Sequence, residues 1–158
     1  MQETRDTRFE AMAAQIGHRF DGEIKVGGHY LPVLRHGGHA YLSGQIPRVG
    51  DTILVVGRVG AEVSLAEARL AAEVCTMRAL ALLRQSLGSL DAISQLLRLT
   101  VYVQSAADFT QHSEVADAAS DVLHDVLGEA GRHTRTSVGV YQLPKNAAVE
   151  LDLIAAVG

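Results

Sequence analysis

Hydrophobic and polar positions alternate along the chain with two distinct periods. Phe9, Met12, Ala13 and Ile16 recur at spacings of three and four, which predicts a short amphipathic helix over residues 3–17, with Gly17 as its stop. Gly22, Gly27 and Gly28 then break any regular pattern. Residues 30–35 and 39–44 read as two strands joined by His36-Gly37-Gly38, a hairpin signal. A β-rich run over residues 53–59 follows Gly50-Asp51 and predicts a third short strand. Ser64-Leu65-Ala66-Glu67 has the spacing of a capping box, so a helix should start there. Its stripe of Ala68, Ala72, Cys75, Ala79 and Leu82, widened by Leu70, Val74 and Met77, can pack on a sheet before Gly88 ends it.

The period then switches to two. Over residues 96–104, Leu97, Leu99, Val101 and Val103 fall on one face, with Arg98, Thr100, Tyr102 and Gln104 on the other, which predicts a strand. Asp108 or Thr110 can cap a second long helix with Val115, Ala119, Val122, Leu123 and Val126 as its apolar positions and Gly128 as its end. Strands over residues 135–143 and 148–157 follow, separated by Pro144-Lys145-Asn146, a length that suits a hairpin-like connection. The order β-β-β-α-β-α-β-β predicts an α+β fold with one sheet and two long helices packed on one face. The uncovered face would carry Arg98, Thr100, Tyr102, Glu150 and Asp152, a mixture that suits solvent or a wet subunit interface.

Composition narrows the functional classes. With 158 residues, 47% of them hydrophobic, the chain is sized for one domain with a substantial core, and no linker or repeat calls for a second. A formal charge of -4 and a complement of four Tyr, three Phe and no Trp argue against a basic, aromatic-lined nucleic-acid groove. A single cysteine, Cys75, removes an intrachain disulfide framework and a cysteine-based zinc site. No apolar run approaches the roughly 18–20 residues a bilayer requires, and the first twenty residues lack a signal-like apolar core, so a cytoplasmic location without a membrane partner is expected. His36 and His39 flank a glycine turn and lack the three or four convergent ligands a metal needs. No phosphate-loop pattern and no Gly-x-Ser-x-Gly elbow occur, and no cofactor or metal is implied.

Two stretches carry a resemblance. Ser43-Gly44-Gln45-Ile46-Pro47, and more specifically Arg135 through Ala155 (RTSVGVYQLPKNAAVELDLIA), resemble the RidA (YjgF-type) family of reactive-intermediate deaminases. The likeness covers the chain from Tyr30 to the C-terminus and leaves residues 1–28 as an N-terminal extension of a single domain; residues 57–64 and 128–133 resemble a longer branch of that family. The resemblance implies a chorismate-mutase-like fold assembling as a homotrimer, with clefts between subunits that bind a small 2-imino or 2-keto acid. It implies hydrolysis of 2-enamine and 2-imine acids such as 2-aminoacrylate to 2-keto acids and ammonia, and family descriptions also include endoribonuclease and translation inhibitor. Arg135 matches the residue that would clamp the substrate carboxylate, a task suited to the planar guanidinium fork. Glu150 matches the carboxylate that would handle water and proton. Tyr30 matches a cleft-lining tyrosine and Ser43 the serine of the Ser-Gly-Gln segment. Ser137 stands where many members carry cysteine, and Ser113 falls near a position often held by asparagine. The strand period suggests that Glu150 and Arg135 share the open face if their strands lie side by side. A non-catalytic, carboxylate-binding trimer is the alternative consistent with the same residues.

Overall fold

The computed structural model describes residues 2–158, and its elements follow from local signals that the chain carries. Helix α1 (Arg5–Ile16) opens with reciprocal capping between Thr4 and Thr7 and closes at Gly17 with φ 88°. Strands β1 (Val33–His36) and β2 (His39–Gln45) form the expected hairpin. Its two turn glycines take φ 59° and 79°, the double left-handed turn that matches strand twist. Helix α2 (Leu65–Leu87) starts with the Ser64 hydroxyl accepting from the Glu67 amide at 3.1 Å, while the Glu67 carboxylate accepts from the Ser64 amide at 3.1 Å.

Strand β5 (Ile93–Gln104), helix α3 (His112–Leu127) and strands β6 (Thr134–Val140) and β7 (Val149–Val157) complete a five-stranded sheet of order β1-β2-β7-β5-β6. Helices α2 and α3 pack on one face, and α1 lies against both of them on the side remote from the sheet's open face. Phe9 on α1 is buried beside Phe20 with ring centroids 6.5 Å apart, and Arg8 reaches across to donate to the Val126 carbonyl at 2.9 Å. Leu99, Val101, Val103, Leu151 and Leu153 fill the sheet side of one continuous core. Among the described residues, no helix is long and apolar enough to cross a membrane.

Five expectations are corrected. Residues 53–59 do not form one strand: β3 (Arg48–Val49) and β4 (Thr52–Ile53) make a two-stranded ribbon, and positive φ at Gly57 and Gly60 turns the remaining residues into isolated bridges. Helix α3 begins at His112 behind Gln111, without a side-chain cap from Asp108 or Thr110. In β5 a register shift between Leu96 and Arg98 buries Leu96 in place of Leu97, and on α2 Leu70 is exposed although Val74 and Met77 are fully buried.

The fifth correction concerns the C-terminal strands. β6 and β7 are not a hairpin; β5 lies between them, parallel to β6 and antiparallel to β7. Gln104, fully buried at the end of β5, is the peg over which the connection passes. Its side-chain carbonyl accepts from the Leu143 amide at 2.7 Å, and its amide nitrogen donates to Gly57 O at 3.0 Å and Asn146 Oδ1 at 2.7 Å. Lys145 and Asn146 are both held at positive φ, 59° and 60°, a conformation costly for residues with a Cβ that tightens the crossing.

Candidate functional site

Strand register assigns each candidate to a face. Tyr102 stands opposite Glu150 and Thr100 opposite Asp152, and all four are half-buried on the face that no helix covers. Arg135 stands opposite Leu99, a core residue, so its side chain leaves the sheet on the helix-covered side. Within one protomer, therefore, Arg135 and Glu150 lie on opposite faces with β5 between them, contrary to the expectation that they share the open face. The cause is parity: their partners on β5, residues 99 and 102, are separated by an odd number of positions.

Arg135 sits on the edge strand and is held by α3. Its Nη1 donates to Asp117 Oδ1 at 2.8 Å and Ser120 Oγ at 3.0 Å, while Nη2 donates to Ser113 Oγ at 2.9 Å. Ser113, Asp117 and Ser120 recur at spacings of four and three, a polar stripe on the helix edge that the sequence displayed but that an apolar-face search passes over. Ser120 is itself tied to His133 Nε2 at 2.9 Å. Ser137, two residues along β6, is on the same side of the strand and half-buried. The guanidinium is thus fixed in direction, with Ser113 bound to it and Ser137 on the same side of the strand.

Glu150 faces a small cavity of about 250 Å³. Tyr30, Gly44, Pro144 and Lys145 are among its walls. The segment that follows α1 supplies Ile24, Lys25, Val26 and Gly27, so the N-terminal extension ends as one wall of this cavity. Tyr30 is about half exposed, with its ring lying over Gly28. Ser43 is close in sequence but committed elsewhere: its hydroxyl donates to Leu31 O at 2.7 Å, fixing the loop that carries Tyr30. Burial, and secondarily the charge of Asp152, raises the pKa of Glu150 above the ordinary carboxylate range. Asp152 is raised by burial too, partly offset by the Tyr102 hydroxyl, which donates to it at 3.4 Å, and by Arg98. A carboxyl whose pKa is raised is a stronger base once ionised, which favours accepting a proton from water and returning it, as acid–base chemistry requires.

Gly44 permits this geometry. A Cβ at that position would lie 2.8 Å from Glu150 Oε2 and 3.0 Å from its carboxyl carbon. Gly44→Ala is therefore expected to leave the melting temperature nearly unchanged but to displace the carboxylate, lowering any Glu150-dependent rate by roughly tenfold to a hundredfold. Steady-state rates beside a thermal melt check this, and an unaltered rate would detach Glu150 from the chemistry.

Residues 14–157 match the protein family described as "YjgF/chorismate_mutase-like, putative endoribonuclease". The chain belongs to this family. Across 148 residues this YjgF-like protein is 34% identical to protein TCP17 of Trypanosoma cruzi, with 93% of the chain and 92% of that protein aligned. It superposes on the crystal structure of Atu1372 from Agrobacterium tumefaciens with TM-score 0.87 and 34% identity, covering 97% and 94% of the two chains. It also superposes on the crystal structure of a "putative endoribonuclease" from Shewanella oneidensis MR-1 with TM-score 0.89 and 29% identity, covering 98% and 100%. Such coverage includes the N-terminal helix, so the YjgF-like chain shares that extension with both structures.

Three residues of the site escaped sequence reasoning. Gln45, Arg48 and Arg78 line the Glu150 cavity. Arg78 had a legible signal, a charge inside the apolar stripe of α2 between Cys75 and Leu82. Gln45 had one too, its place in the Ser-Gly-Gln-Ile-Pro segment, whereas Arg48 had none, because nothing local marks the two-residue strand that carries it.

Proposed function

We propose that the protein hydrolyses small reactive 2-enamine and 2-imine acids to 2-keto acids and ammonia, as a homotrimer whose sites are completed between subunits. The observation that carries this reading is the half-buried Glu150, its pKa raised, facing a cavity sized for a small metabolite. After tautomerisation of an enamine to the imine, Glu150 takes a proton from water as the oxygen adds to the imine carbon. It passes that proton to nitrogen, giving the carbinolamine, and then takes the hydroxyl proton and delivers it to the amino nitrogen, so that the C=O bond forms as the C–N bond breaks and ammonia leaves the 2-keto acid. Arg135 supplies two-point recognition of the substrate carboxylate. Because Arg135 and Glu150 emerge from opposite faces of one sheet, a site that uses both takes them from different protomers, and a closed threefold arrangement repeats it three times. The open face suits such an assembly: Leu34, Tyr41 and Val138 are exposed beside half-buried Tyr102, Glu150 and Asp152.

The test is keto-acid formation from freshly generated 2-aminoacrylate. Purified protein should raise the rate well above that in buffer, and equality with buffer would reject the reaction. One observation favours a second reading, a non-catalytic trimer that binds carboxylates: Asp117 already neutralises Arg135 at 2.8 Å. A ligand-dependent rise in melting temperature without turnover selects it. RNA cleavage rests on the words used for the family and for the Shewanella relative; RNA affinity that falls steeply with added salt is its signature.

A further inference from the structure

The Glu150 cavity holds a charge arrangement that imine hydrolysis does not use. Four cationic side chains line it, Lys25, Arg48, Arg78 and Lys145, against Glu150 as the one carboxylate. Lys25 is met by Asp51 at 3.1 Å, and Lys145 is exposed to solvent. The two arginines are different. Arg78 rises from the middle of α2 and is only 7% exposed; its Nε donates to Gln45 Oε1 at 3.3 Å and its Nη1 to the Arg48 carbonyl at 2.6 Å, leaving Nη2 available. The Nε of Arg48 is buried and has no hydrogen-bond partner. Among the described residues neither arginine forms an ion pair. Burial lowers the pKa of Arg78; Cys75 offsets this in part, and the neighbouring Arg48 charge adds to it.

A buried guanidinium without a counter-ion is costly, and a second one beside it adds to the cost, unless an anion enters between them. Guanidinium groups take carboxylate or phosphate through parallel N–H donors. Neither arginine lies within ion-pair distance of Glu150, so the anion seat is separate from the proton-handling group. Ile24, Val26 and Leu82 among the cavity walls offer apolar surface for a short carbon chain.

We propose that the cavity accepts 2-imino acids whose side chain ends in a second anionic group, carboxylate or phosphate, seated on Arg78 and Arg48. The inference rests on the deaminase reading for the reaction at the other end of the substrate. It makes the protein selective for imines derived from acidic or phosphorylated amino acids over those from alanine or leucine.

The experiment compares imines generated in place by an amino-acid oxidase from aspartate, glutamate, O-phosphoserine, alanine and leucine. It is paired with calorimetric titration of succinate, inorganic phosphate and butyrate into the full-length protein. The acidic imines are expected to have kcat/KM at least about tenfold above the neutral ones, the scale of one charge-assisted pair. Arg48→Met and Arg78→Met should collapse that ratio towards one, and Arg78→Lys, which keeps the charge without the fork, should retain part of it. The contrast between aspartate or glutamate and O-phosphoserine identifies which anion the seat takes. Equal rates for acidic and neutral imines, with succinate and phosphate binding no better than butyrate, overturn the anion seat and leave the deaminase reading standing. Arg48-dependent binding of succinate or phosphate in a protein that turns over no imine supports the seat and rejects the reaction. Should Arg78→Met fail to fold, Arg48→Met and the titrations on the parent decide the matter.

Discussion

Glu150→Gln is expected to lower the rate of imine hydrolysis by about 10²- to 10⁴-fold, the usual contribution of a positioned proton-transfer group. The amide keeps the size and shape of the side chain but cannot take a proton from water. The pH profile separates this loss from damage to the fold. Because burial and Asp152 raise the pKa of Glu150, the parent's rate should rise with pH through an ionisation above the ordinary carboxylate range, and that limb should vanish in the variant. Stability moves in the opposite sense. A carboxyl whose folded pKa exceeds its unfolded value contributes stability that is fully present below the unfolded value and lost as pH rises through the folded one. Once ionised, Glu150 therefore opposes folding, and above its folded pKa Glu150→Gln should melt no lower than the parent. A variant that lost activity because it lost its fold would fail that comparison.

Arg135→Ala is expected to be comparably severe. Two charge-assisted hydrogen bonds to a substrate carboxylate, each contributing about 1.5–3 kcal/mol, correspond to a loss of about 10²-fold or more in kcat/KM. Arg135→Lys should recover only a small part, because an ammonium cannot make the two parallel bonds that orient the imine carbon. Asp117 sharpens the prediction. It holds Nη1 at 2.8 Å in the free protein and is more than half exposed, so it competes with a substrate carboxylate for the same guanidinium. Asp117→Asn should therefore tighten binding of a simple carboxylate in the direction opposite to Arg135→Ala, even if orientation of the arginine suffers. Titration with a 2-keto acid product and the parallel rates check both changes, and an Arg135→Ala protein as fast as the parent would remove this residue from the site.

Much of this arrangement was legible in the chain because its signals are local. The capping residues of α2, the glycine pair of the β1–β2 turn and the period-two pattern of β5 each specify an element through neighbours a few residues apart. The crossing from β6 to β7 is not legible in the chain, for the opposite reason. Loop length and turn residues at Pro144-Lys145-Asn146 suit a hairpin, and only the buried side chain of Gln104, about forty residues earlier, makes the chain pass over β5 instead. The site follows from the same crossing: with β5 between β6 and β7, Arg135 and Glu150 take opposite faces. The residue types were readable without the structure. Their partners were not: Asp117 and Ser120 act through tertiary packing of α3 on an edge strand, and Arg48 through a ribbon that reads as a loop.

The central claim is that the Glu150 cavity of one protomer and the Arg135 edge of another make one site. Subunit mixing tests it directly. Glu150→Gln and Arg135→Ala homo-oligomers are prepared separately, each nearly inactive, then dissociated and reassembled together in equal amounts, with exchange verified by mass. If each site takes one residue from each of two neighbours, random mixing leaves about one quarter of the sites intact, and that fraction of the parent rate should return. A mixed population, shown to have exchanged subunits, that remains as inactive as its components would contradict the account.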